Sequence, residues 1–164
     1  MSARGTAVFI KDERGTVLVE ALMVFPVLMF LSFGLLEFSN VLWERQQMQM
    51  GLRDAARYWS RCRSDINGAE MFCSETVARN IAFYGNPAGS GRLRVPGWDA
   101  ADEISFDPAK ASLPTNASLP GDPSLMPRVT VSGTVTYFGS PMFSALLDDS
   151  ITISHTVEMR YIGW

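Results

Sequence analysis

An α+β fold is predicted: a long amino-terminal helix, a second shorter helix, and a small antiparallel sheet formed by the carboxy-terminal residues. Three observations predict it. From Thr16 to Leu36 the only charged residue is Glu20. Directly after this run, apolar residues recur at alternating steps of four and three, the spacing of one helix face. Near the end, two stretches alternate apolar side chains with hydroxyls or charges, as half-buried strands do. The 164 residues leave room for one compact domain plus an appendage. A formal charge of −3, from 14 basic and 17 acidic residues, argues against a nucleic-acid partner.

The first element is a membrane helix over residues 16–37, behind a leader of residues 1–15. At about 1.5 Å per residue, such a helix crosses the roughly 30 Å hydrocarbon core. A signal peptide removed after the apolar run fits less well. No small-x-small site follows, and Glu37, Trp43, Glu44 and Arg45 continue in helical register. Arg4, Lys11 and Arg14 precede the span against Asp12 and Glu13, and Arg45 and Arg53 follow it, so charge favours a cytoplasmic amino terminus only slightly. The two cysteines, suited to an oxidising compartment, add to it and place the carboxy-terminal head outside the cytoplasm, in the periplasm. Pro26 lacks an amide donor and crowds the carbonyl four residues back, so a kink or a locally melted turn is expected there. An ionised Glu20 in hydrocarbon costs about 2.5–3.5 kcal/mol, which calls for a cation at the same depth unless the headgroups solvate it.

Residues 38–63 carry the helix into water. Met48, Leu52, Ala55, Trp59 and Cys62 form its apolar stripe, suited to packing on the protein's own sheet. Arg53, Arg57 and Arg61 step by four along another face, either an ordinary solvated surface or a contact for anionic lipid or an acidic partner. Gly51 costs about 1 kcal/mol relative to alanine in a helix, so a bend or a close helix approach is expected there. Residues 64–84 hold a turn at Asp65-Ile66-Asn67-Gly68 and a second helix, with Asn67 and Glu70 spaced like a capping box and Gly85 and Pro87 stopping it at Tyr84. Cys62 and Cys73 would stand about 16 Å apart on one straight helix. The intervening turn lets them meet as a disulfide, which suits an oxidising compartment. Two cysteines without a nearby histidine do not make a zinc site, and no metal or other cofactor is expected.

Residues 85–127 contain seven of the nine prolines and read as loop, with short strands at Arg92–Val95 and Glu103–Phe106. Asn116-Ala117-Ser118 matches a glycosylation sequon. In residues 128–164, Val129 to Tyr137 and Ile151 to Tyr161 form an antiparallel pair. Pro141 to Leu147 between them suits a short helix, and Asp148-Asp149 a turn. His155 falls on the apolar face of the last strand and reads as a core residue. No serine-histidine-aspartate set, carboxylate pair or phosphate-cradling glycine loop accompanies it, so no catalytic residues are assigned and a non-enzymatic protein is expected.

The amino-terminal residues carry a family resemblance. Arg14-Gly15 stands just before the span, and Glu20 is the fifth residue after the glycine. A short charged leader, glycine, a few apolar residues and then glutamate resembles the processing site of type IV pilin-like proteins. Gly34-Leu35-Leu36-Glu37-Phe38, Trp43-Glu44-Arg45-Gln46 and Leu52-Arg53-Asp54-Ala55-Ala56-Arg57-Tyr58 resemble the TadE/TadG-like minor pilins, or pseudopilins, of tight-adherence (Tad, Flp) pili. Thr16 departs from the phenylalanine or methionine of the better-known pilins, and the absence of a large additional domain points to the shorter TadE-like branch. The resemblance implies a pilin-like fold, and cleavage by a prepilin peptidase between Gly15 and Thr16. It also implies docking of Glu20 against the new amine of a neighbouring subunit. The implied partners are the major pilin, other minor pilins, the inner-membrane assembly platform and membrane lipid. The implied location is the bacterial inner membrane, with incorporation into an extracellular pilus open. The alternative is a single-pass, membrane-anchored periplasmic accessory or binding protein in which Gly15 has no role.

Overall fold

The computed structural model describes residues 13–62, 73–113, 127–140 and 150–162. The leader up to residue 12, the turn at Asp65–Gly68 with Asn67 and Glu70, the Asn116 sequon, the Pro141–Leu147 segment and Asp148-Asp149 lie outside the described residues. The chain divides into two units, Met1–Asn40 and Val41–Trp164.

Helix α1 runs from Glu13 to Ser60 and contributes to both units. In the first unit every residue from 15 to 36 is exposed, so the helix is apolar on all sides and buries none of that surface within the protein. A soluble core helix hides its apolar face, whereas a span presents it to lipid. The helix continues through Pro26 without an assigned break, so no turn melts there. Its hydroxyls are satisfied internally: Ser32 Oγ donates to the Leu28 carbonyl at 2.7 Å, and Ser39 Oγ to that of Leu35 at 2.8 Å. That arrangement removes their need for water. Among the described residues this is the one helix long and apolar enough to cross a membrane.

The second unit is built on a three-stranded antiparallel sheet in the order β1 (Ile104–Asp107), β2 (Arg128–Tyr137), β3 (Ile151–Arg160). Strands β2 and β3 pair along their full length, from Arg128 opposite Arg160 to Tyr137 opposite Ile151. Strand β1 pairs with the other edge of β2, Ile104 opposite Gly133 and Asp107 opposite Thr130. The alternation behaves as the sequence requires: Val129, Val131, Val135 and Tyr137 are buried. Met48, Leu52, Ala55 and Trp59 are completely buried on α1, which packs against this face. At Gly133 an added Cβ would stand 2.9 Å from Leu52 Cδ2 and 3.0 Å from Met48 Cε, so glycine lets α1 settle onto β2.

Helix α2 (Glu75–Tyr84) is capped by Ser74, extended in its backbone, whose Oγ accepts the Val77 amide while its carbonyl accepts that of Ala78, and it ends at Gly85 in the left-handed region, φ 77°. The predicted end at Tyr84 is where it falls. Its start is Glu75, because Cys73 and Ser74 are non-helical. Gly51 provides the close approach: a Cβ there would lie 2.5 Å from the Ala82 carbonyl oxygen and 3.0 Å from Trp98 Cζ3. Trp98 is fully buried and packs edge-on against Phe83, ring centroids 5.0 Å apart.

One expected strand is absent. Arg92–Val95 is irregular, bracketed by positive-φ Gly91 and Gly97 and followed by Pro96. Its backbone bonds to helix instead, the Arg94 amide donating to the Phe83 carbonyl at 2.8 Å. The other expected strand is present, shifted by one residue to Ile104–Asp107, with Ala101–Glu103 forming a single 3-10 turn before it.

Candidate functional site

Gly15 is the third residue of α1, and nothing lies within 4 Å of where its Cβ would be. The first amides of a helix lack intrahelical partners, and glycine weakens the turn further. The Gly15-Thr16 bond sits in the first described turn of α1. Glu20 follows about 7.5 Å along the axis from Gly15. It is exposed, and among the described residues it has no ion-pair partner. Gly15, Thr16 and Glu20 thus share one exposed stretch at the head of the apolar helix.

Farther along α1, Arg53, Arg57 and Arg61 are all exposed, while Ala55, Ala56 and Trp59 between them enter the core. Asp54 lies between the first two and is shared: Arg94 Nη2 donates to its Oδ2 at 2.7 Å, and Arg57 Nη1 stands 3.8 Å from its Oδ1. The Arg94 contact ties the irregular segment after α2 to α1. Arg57, Arg61, Tyr58 and Cys62 line a shallow concavity at the end of the helix.

Cys62 and Cys73 stand at disulfide distance, their Cα atoms 5.3 Å apart. The two cysteines are at most 7% exposed. The Tyr161 hydroxyl donates to the Cys62 carbonyl, the Tyr58 hydroxyl accepts the Ser74 amide at 3.2 Å, and the Ile162 amide donates to the Ser60 carbonyl at 2.9 Å. The end of α1, the approach to α2 and the end of the sheet therefore meet around this pair.

His155 is half-buried opposite Gly133 in β3, less enclosed than a core histidine. Among the described residues no three histidine, cysteine, aspartate or glutamate side chains group as a metal site. The sequence reading missed the Arg94–Asp54 pair and the packing of Trp98. Neither carries a local signal, since 40 residues separate the first pair and Trp98 sits outside any periodic element.

Comparison with protein families places one segment. Residues 15–57 match the family model described as "TadE-like protein". The matched segment contains Gly15, Thr16, Glu20, Arg53 and Arg57. Arg61, both cysteines and the sheet lie beyond it. No curated protein and no solved structure matches the chain.

Proposed function

We propose that the protein is a non-enzymatic TadE-like minor pilin of a tight-adherence pilus, anchored in the bacterial inner membrane by α1 with its carboxy-terminal head in the periplasm. The observation that carries this reading is the coincidence of the TadE-like match with a helix exposed on every side from residue 15 to 36. A prepilin peptidase cuts between Gly15 and Thr16 and leaves an α-amine on Thr16. Glu20, costly as an isolated anion in lipid, then gains a partner in the Thr16 amine of a neighbouring pilin at the same depth. Removing either charge leaves the other unpaired, so the pair fixes which depth and stagger two subunits adopt. The head works with other minor pilins, the major pilin and the assembly platform in the membrane. A disulfide between Cys62 and Cys73 suits a head outside the cytoplasm.

The test is complementation of a strain lacking the protein. Glu20→Gln is expected to insert at the wild-type level but to restore little piliation, because the neutral amide lowers the insertion cost and removes the attraction. Full piliation with Glu20→Gln would overturn the docking role.

A further inference from the structure

We propose that the heads of two copies of this chain associate front to back, the arginine ridge of α1 on one copy docking against the acidic segment around β1 on the next. Both surfaces belong to the Val41–Trp164 unit. On one side Arg53, Arg57 and Arg61 are exposed, and Met50, 43% exposed, lies on the same face and supplies an apolar anchor among the guanidinium stems. At about 100° per residue, Arg53 lies about 120° around the helix from Trp59, and Arg57 about 160°. Trp59 is completely buried. It holds β1 on its own side, its ring 4.8 Å from that of Phe106 and its Nε1 donating to the Pro108 carbonyl at 2.9 Å. The ridge thus faces away from β1.

On the β1 side, Asp99, Asp102 and Asp107 are exposed within nine residues of chain. Asp107 opposes Thr130, on the sheet face turned away from the buried valines. Glu103 joins them but is engaged locally, its Oε2 accepting the Asp99 and Ala100 amides at 3.0 and 2.9 Å. Of the cations nearby, Arg128 is matched by Glu158 at 3.2 Å, while Lys110 and Arg160 are exposed. Asp107 therefore lies on the side of the head opposite the ridge, and Asp99 and Asp102 precede it on the same stretch of chain.

Charge also fixes the occupant and the symmetry. A two-fold contact would set ridge against ridge or acid against acid, which like charges oppose. A front-to-back contact pairs unlike charges and leaves one ridge and one acidic segment free at the two ends, so it propagates. The contact is independent of peptidase processing, although it serves the multi-copy assembly of the proposed function.

The experiment is a charge swap in the full chain, read as self-association in detergent micelles by sedimentation at low and high salt, with circular dichroism as the check on folding. Two variants are made: Arg53→Glu/Arg57→Glu/Arg61→Glu, and Asp99→Lys/Asp102→Lys/Asp107→Lys. Each alone is expected to lose about tenfold in association at low salt, and the chain carrying both sets is expected to recover it. High salt should weaken the wild-type contact. Folded single-set variants that associate like wild type, or a combined variant that does not recover, would overturn the proposal. So would loss of binding to phosphatidylglycerol vesicles in the arginine variant with self-association unchanged, which would make the ridge a lipid contact. Gly15→Val, which keeps the leader, should associate like wild type. Failure of processing and failure of this contact are therefore read separately.

Discussion

Glycines at four positions of this chain do different work, and the surroundings of each give different expectations. At Gly51 a Cβ would meet the Ala82 carbonyl oxygen at 2.5 Å, so backbone must move. Gly51→Ala gains about 1 kcal/mol of helix propensity but loses about 1–3 kcal/mol to overpacking. A lower melting temperature for the full chain is expected, and an unchanged one would show that α2 yields freely. Gly34 meets nothing within 4 Å, so Gly34→Ala should leave the melting temperature unchanged or slightly raised. Gly133 admits α1 to the sheet. Gly15 is also open to space, so Gly15→Val does not disturb packing. A block in leader removal by Gly15→Val, seen as a heavier band on a gel, then reports on the peptidase's need for a small residue. Normal processing of Gly15→Val would count against the pilin reading.

At the scale of elements, the periodic parts were legible and the irregular parts were not. The apolar stripe of α1 and the β2–β3 pair followed from spacing, because burial on one face leaves a period in the sequence, and the stop of α2 followed from Gly85 and Pro87. Arg92–Val95 shows why alternation over four residues is too little. Pro96 and the flanking glycines removed it from the sheet, and a carbonyl of α2 took its amide. The cap of α2 at Ser74 was not read from the sequence, because Val77 stands three residues after it and no capping box marks it. Ser74→Ala is expected to cost about 1 kcal/mol, read as a drop in unfolding free energy. In the candidate site, Glu20 stood out as the lone charge of the apolar run, the arginines by their step of four, and Gly15 through the family resemblance. The Asp54–Arg94 tie did not, since only the folded chain brings it together.

The cysteine pair joins the end of α1 to the start of α2. A disulfide closing a loop with 11 residues of sequence separation contributes about 3 kcal/mol by the loop-entropy estimate. Thiol labelling of the denatured, unreduced chain should find no free cysteine. Two labelled thiols would remove the staple and argue against an oxidising location for the head.

For the whole molecule, removal of the leader is what separates a processed pilin from a plain membrane anchor. The helix exposed from residue 15 to 36 serves either role, and the TadE-like match favours the first. The proposed pilin loses its leader and gains on Thr16 the amine proposed to meet Glu20, while an anchor keeps residues 1–15. The deciding measurement is the intact mass, with amino-terminal sequencing, of the protein extracted from the membranes of its host. A chain beginning at Thr16 is the expected result, and a chain that still carries its leader would contradict the account.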